Sequence, residues 1–391
     1  MSITSLINPS GEVSVQDTLW HIAYSDNSGQ TDFKYVFDVF NGSEQLVRVK
    51  LYPDPTTGRG YFDAGSVVRN EFSVSWFLPE GGDGSFVKQP NASGEISLTY
   101  NIRVGEDFSG ITTLNLASGN VTAYNWRPPL FNRRQSTISV FNNKYMTNRR
   151  KVAKIKLGEK LFIPYKGTGS LRLNYQTYNA SNTLVASGNS ENNYTSNGFF
   201  QMDIGTAAVN ISAGSSVITS STSYYKVRVE NTTTSQFSDW FTVYLDCDNR
   251  FTPYCLHFIN QYGMFETMRF SKASKLTMNV ERKTYEKLPE RFTNTAVTYY
   301  NDNNVYHETK INYASKYQWN YKLTSDLMPD EDYQWLSELI TSPLIYFEKD
   351  GDFYPVTIMA TTYDYVEHQT DGLRPLQVDI ELNQKRNGFQ R

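Results

Sequence analysis

The densest set of chemistry-bearing side chains lies between residues 127 and 166, where eleven cations meet one carboxylate, Glu159. They are Arg127, Arg133, Arg134, Lys144, Arg149, Arg150, Lys151, Lys154, Lys156, Lys160 and Lys166. Cations at this density repel one another unless something neutralises them. Arg133, Arg134, Arg149, Arg150, Lys151, Lys154 and Lys156 are therefore the candidate contact residues. Three occupants fit: the acidic face of a protein partner, including a second copy of the chain; nucleic-acid phosphate; or water alone, if the stretch is a linker. Phe131, Tyr145 and Phe162 interleave with the charges, which suits a surface better than a solvated linker.

Other groupings carry less chemistry. Carboxylates pair at Glu106 and Asp107, at Asp330 to Asp332, and at Asp350 and Asp352. Acid–base catalysis needs two carboxyls converging across a cleft, which adjacency in sequence does not supply. Asp54, Asp63 and Asp83 lack the alternating ligand spacing of a calcium loop. No glycine-rich loop ends in Gly-Lys-Ser or Gly-Lys-Thr, and Gly-x-Ser-x-Gly is missing too. No cofactor, metal or catalytic set is expected. Cys247 and Cys255 read as free thiols, and His21, His257, His307 and His368 are scattered. Trp20, Trp76, Trp126, Trp240 and Trp319 are candidates for exposed faces on which a sugar could stack, against the alternative of core and interface packing.

The elements that must position these groups are mostly strands. Phe33, Tyr35, Phe37 and Val39 alternate, as do Ile96, Leu98, Tyr100, Ile102 and Val104, and Asn41-Gly42 sits between two strand-like runs as a hairpin signal. A second group follows in Leu171, Leu173 and Tyr175, in Tyr225, Val227 and Val229, and in Phe241, Val243 and Leu245, with a polar loop or exposed hairpin over 179–197. In the last third, Leu276, Met278 and Val280 make one strand and Leu376, Val378, Ile380 and Leu382 another. A helix starts at Pro329, carries Tyr333, Leu336 and Ile340 on one stripe with Trp335 and Leu339 beside it, and stops at Pro343. The fold class is mainly β: two β-sandwich-like domains (1–126 and 167–246), joined by a basic connecting segment (127–166) and followed by a small α+β module (247–391).

Length and composition agree with an ordered protein. The chain has 391 residues, of which 15% are aromatic, so it can bury cores of ordinary size. No apolar run is long enough for a membrane helix, and the start lacks the basic-then-apolar pattern of a signal peptide, so synthesis in a cytoplasm without a membrane partner is expected. Residues 1–126 hold 14 carboxylates against 7 cations, an acidic counterpart to the basic stretch.

Three stretches resemble a known group. They are the aromatic strand pair leading into Arg59-Gly60-Tyr61-Phe62-Asp63-Ala64 and Val67-Val68, the run from Leu256 through Asn260, Tyr262, Gly263 and Met264 to Phe270, and the acidic helix, hairpin and Pro-Val between Asp330 and Val356. Together they are similar to β-rich virion proteins of tailed bacteriophages that infect Bacteroidetes hosts, including the crAss-like group. His257-Phe258 stands where that group usually has Trp. The resemblance implies a structural neck or tail component, a ring or hub protein that self-assembles as a homo-oligomer, docks other tail proteins and ends in the virion. A carbohydrate-binding adhesin or receptor-binding fibre is the alternative.

Overall fold

The computed structural model describes residues 3–10, 12–74, 87–88, 96–127, 143–190, 194–248, 250–286, 290–292, 297–299, 301–302, 305–306, 310–359, 374–384 and 386–387. The protein is mainly β, with β-sandwich-like sheets. It divides into two compact units, one of Met1–Cys247 with His257–Met268 and Thr341–Pro343, the other of Asp248–Leu256 with Arg269–Ile340 and Leu344–Arg391. The boundary expected at 246/247 is thus crossed twice by the first unit.

The first unit begins with a sandwich. One sheet has Ile3–Ile7, Trp20–Ser25 and Gly60–Asp63; the other runs Glu12–Ser14, Val121–Tyr124, Ser97–Phe108, Lys34–Asn41, Glu44–Leu51, with Ile111–Ala117 also on Ser97–Phe108. Alternation puts Phe33, Tyr35, Phe37 and Val39 beside Leu98, Tyr100, Ile102 and Val104, opposite Ala23 and Phe62, in one core. The strand Lys34–Asn41 is buried on its second face as well. There Arg48 makes a bidentate pair with Asp38, both bonds 2.7 Å, and Arg103 lies 4.6 Å from the centre of the Phe40 ring. The Asn41-Gly42 signal is realised as a tight hairpin, with Asn41 facing Glu44.

The Arg59-to-Ala64 motif is structural. Gly60 lies against the Tyr35 ring, where a Cβ would sit 2.6 Å from ring atoms. The Tyr35 hydroxyl donates to Gly58 O at 2.7 Å. Asp63 Oδ1 accepts from the amides of Leu19 and Gly65, at 2.8 and 2.9 Å, and so ties two strands to the start of the short helix Gly65–Asn70.

The second domain is built on Phe162–Tyr178, a 17-residue strand that pairs with Tyr194–Asp203 through its first half and with Tyr224–Asn231 through its second. Phe241–Leu245 and Val152–Ile155 extend the sheet beyond Tyr224–Asn231, the last pair in parallel. Leu171, Leu173, Tyr225, Val227, Val229, Phe241 and Val243 form the core under the helix Thr206–Ser212. The expected connecting segment is therefore corrected over its described part. Residues 144–145, 152–155 and 162–166 are strands of this sheet, because Ala153, Ile155, Ile163 and Tyr165 alternate inward among the cations. The hairpin 257–268 belongs to the same unit through Asn260. Its Oδ1 accepts from the amides of Tyr262 and Met264, and its Nδ2 donates to Met146 O and Glu266 Oε1. Gly263 turns there at φ 76°, and a Cβ on it would meet Asn125 O at 2.4 Å.

In the second unit, Ile345–Lys349, Asp352–Ile358, Arg374–Leu382, Lys310–Met328 and Lys275–Glu286 are neighbours in that order, all antiparallel. Ile345, Phe347, Val356, Val378, Ile380, Tyr321 and Leu323 are buried. The helix Asp330–Ile340 buries Trp335, Leu336 and Leu339, so the covered stripe is centred one position off the expected Leu336–Ile340 line. Among the described residues, no helix is long and apolar enough to cross a membrane.

His21 gives the first domain a pH dependence. Its ring is fully buried, with Nδ1 donating to Asn8 Oδ1 at 2.8 Å and Nε2 accepting from the Tyr100 hydroxyl at 3.1 Å. Burial pulls its pKa down to about 4, with the Asp63 carboxylate opposing. The unfolded chain takes up this proton near pH 6.5 and the folded chain only near 4, so stability is present above pH 6.5 and lost as the pH falls. Chemical denaturation of the first domain at pH 7 and pH 4.5 should show a loss of roughly 2.5 kcal/mol that is absent in His21→Gln.

Candidate functional site

The cations of the basic stretch do not form one open patch. Arg133 and Arg134 lie outside the described residues. Arg149 is half-buried: its Nη1 donates to Thr267 O at 3.0 Å and its guanidinium sits 6.0 Å from the Phe241 ring centre. Lys166 is buried, with its ammonium over the Phe199 and Tyr124 rings at 5.4 and 5.8 Å. Lys151 pairs with Asp239, and Lys154 lies 3.3 Å from Asp246. Arg150 is exposed, and Lys156 is half-buried with its amide on Glu159 Oε2 at 2.7 Å. The parallel pairing of Val152–Ile155 with Phe241–Leu245 sets this arrangement, since it brings acids flanking one strand to cations on the other. Lys151 and Lys154 are thus paired with carboxylates of the same chain.

The outer face of the same sheet is aromatic, yet its rings are already used. Tyr178 stacks on Tyr224 at 4.6 Å and 8°, with Lys226 over Tyr178 at 5.5 Å. Arg228 is clamped between Phe237 at 3.9 Å and Trp240 at 4.4 Å. Trp240 therefore gives one face to a cation. Trp126 follows the packing alternative: it is 3% accessible and stacked on Tyr262 at 5.9 Å. Trp76 lies outside the described residues.

The paired carboxylates diverge. Glu106 is buried and accepts from Ser25 Oγ and, at 3.1 Å, from Asn27 Nδ2. Its neighbour Asp107 points to the other face of the strand, where hydrogen bonds from Lys50 and Thr112 hold it below the usual carboxylate range. Asp350 and Asp352 flank the turn of the hairpin Ile345–Ile358. Neither Cys247 nor Cys255 is in a disulfide.

Among the described residues, two apolar sheet faces stand open to solvent at several positions. On the three-stranded N-terminal sheet, Trp20, Ile22 and Tyr24 alternate outward from the central strand, and the row Ile7, Ile22, Tyr61 crosses all three strands by register. Ile7 is 53% exposed, Trp20 48%, Tyr24 39% and Tyr61 37%. In the second unit, Lys275–Glu286 and Lys310–Met328 run on beyond Arg374–Leu382 as a ribbon, flanked at Lys316 and Tyr317 by Arg386–Asn387, with one bulge at Tyr313. Residues directly opposite in an antiparallel pair share a face. One face thus carries Leu276, Met278 and Val280 opposite Tyr321, Trp319 and Tyr317, and the other carries Lys275, Thr277, Asn279 and Glu281 opposite Lys322, Asn320, Gln318 and Lys316. The apolar face is continuous with the core, since Tyr321 packs on Phe347 at 4.9 Å, yet Leu276 is 48% and Met278 46% exposed. Reading the sequence identified Leu276, Met278 and Val280 as a strand but not as a surface.

No protein family model matches the chain, and no curated protein does. Among solved structures, the crystal structure of chicken CNTN1 FN1–FN3 domains is similar over 63% of this chain and 64% of that one, at 10% identity and a TM-score of 0.18. The match thus spans under two thirds of that chain's length, and the likeness is too slight to inform function.

Burial of Trp126 separates a packing role from a sugar-stacking one. Trp126→Ala should cost about 3–5 kcal/mol in urea unfolding; a variant with unaltered stability would show that the ring is not packed as described.

Proposed function

We propose that the chain is a structural assembly protein whose task is to hold copies of itself, and other proteins, together through sheet surfaces. The observation that carries this reading is the ribbon face bearing Leu276, Met278, Val280 and Trp319, an apolar surface continuous with a core and left open to water. Monomeric proteins rarely keep such faces, and larger exposed patches mark interaction sites. The resemblance to virion proteins of tailed phages suggests the setting, a neck or tail ring or hub component with further tail proteins as partners. In this reading the basic stretch contributes internal salt bridges rather than a nucleic-acid surface.

A carbohydrate-binding adhesin is the weaker reading, since Trp126 is buried and Trp240 is stacked on Arg228. Trp20 alone, among the tryptophans of the first unit's described residues, keeps a half-exposed ring.

Sedimentation velocity over rising protein concentration tests the proposal. Mass should increase with concentration and level off at a defined oligomer; a single monomeric species throughout would refute self-assembly.

A further inference from the structure

Two cations on the sheet of the second domain have no carboxylate partner. The strand Tyr224–Asn231 turns Tyr225, Val227 and Val229 into the core, so Tyr224, Lys226 and Arg228 lie on the opposite face. Other cations of this sheet are matched: Arg172 by Glu230, Lys151 by Asp239 and Lys154 by Asp246. Among the described residues, Lys226 and Arg228 are in no ion pair. Glu230, two residues along from Arg228, is engaged by Arg172 at 2.7 and 3.0 Å and by Asn174 Nδ2 at 3.0 Å.

Aromatic rings hold both cations without using their donors. Phe237 and Trp240 take the guanidinium of Arg228, at 3.9 and 4.4 Å, and Tyr178 takes the ammonium of Lys226 at 5.5 Å. A ring attracts a cation through its quadrupole, which leaves the N–H groups unspent. The Arg228 side chain donates no hydrogen bond among the described residues, and its Nε is buried with no acceptor. Such an orphan donor is rare in a native structure and calls for an explanation. Both cations are half-buried, so solvent reaches them, and Phe237 beside them is 46% exposed.

The rest of the face selects the anion. Tyr178 and Tyr224 stack on each other at 4.6 Å and 8°, and Phe237 and Trp240 each give a face to Arg228. Those ring faces are spent within the chain, whereas the bases of a nucleic acid need open ones to stack on. A planar guanidinium held against rings matches the two oxygens of a carboxylate. Arginine, tryptophan and tyrosine gathered on one face are also the residues that anchor protein contacts.

We propose that Lys226 and Arg228 form a binding site for a carboxylate, borne by an acidic segment of a partner protein other than this chain. Arg228 supplies the hydrogen-bonding fork and Lys226 the second charge, while Phe237, Trp240 and Tyr178 keep both in place. The inference rests on the assembly reading for the partner being a protein. Copies join there through apolar faces, so the cationic face is left for a second kind of partner.

Fluorescence anisotropy of labelled hexaglutamate with the full chain, in about 0.15 M salt, tests the site. The peptide should bind the wild type, and hexaglutamine should not. Arg228→Gln should weaken binding at least about tenfold, and Lys226→Gln about threefold. Arg228→Lys keeps the charge and loses the fork, so it should fall between wild type and Arg228→Gln. Lys275→Gln, in the other unit, should change nothing. Circular dichroism checks the fold of each variant; should Arg228→Gln misfold, Arg228→Lys with Lys226→Gln takes its place, with the same loss expected. No binding by the wild type, or equal binding by wild type and Arg228→Gln, overturns the site. Tighter capture of oligothymidylate than of hexaglutamate, lost in Arg228→Gln, makes phosphate the ligand and overturns the carboxylate assignment. The two readings fail separately: a wild type that is monomeric in sedimentation yet captures hexaglutamate through Arg228 refutes self-assembly alone, and one that associates but captures no peptide refutes this inference alone.

Discussion

A strand sends alternate side chains to opposite faces, and whichever face is apolar must be covered by something. The architecture follows from how that requirement is met. The first domain meets it by closing a three-stranded sheet over a larger one, so that Phe33, Tyr35, Phe37 and Val39 end among Leu98, Tyr100 and Ile102. The second meets it with a single long strand that changes partner midway, with a short helix closing the core. In the second unit the helix Asp330–Ile340 buries Trp335, Leu336 and Leu339, while the ribbon extends the apolar face beyond the strands that bury Tyr321, Val378 and Ile380. Where the fold leaves the requirement unmet, another molecule can meet it.

Polar groups inside the sheets are handled locally and completely at the positions that matter most. Asp38 is matched by Arg48, Glu230 by Arg172 and Asn174, Asp63 by two backbone amides, and Asn260 by two backbone amides, a carbonyl and a carboxylate. Each such set fixes one strand or turn against another. Asn260 and Asp63 both lie in stretches that also carry the resemblance to virion proteins, and both act on the backbone rather than on a ligand. Those stretches describe how the chain folds, which is why they point to architecture and not to chemistry.

Much of the fold is legible in the sequence because period two is written into it, and most strands named from alternation are strands. What alternation does not encode is whether a face is covered. Leu276, Met278 and Val280 read the same as Leu376, Val378 and Ile380, yet the first set is largely exposed and the second buried. The difference lies in which strands come to lie alongside, which depends on pairings dozens of residues apart. The basic stretch fails to read for the same reason. Its charges conceal the inward Ala153, Ile155, Ile163 and Tyr165, and its acids, Asp239 and Asp246, arrive from more than eighty residues away. Trp20 and Trp126 are equally aromatic in sequence; only the sheet that presents one and the turn that folds in the other tell them apart.

The central claim is that open apolar faces on this chain exist to be covered by other copies. Hydroxyl-radical footprinting reads it directly, since Trp, Tyr and Met are among the most readily oxidised side chains and both faces are made of them. On going from dilute monomer to associated protein, the account predicts slower labelling of Trp20, Tyr24 and Tyr61 together with Met278 and Trp319, and no change at Tyr244. Association with unaltered labelling at both faces would contradict it.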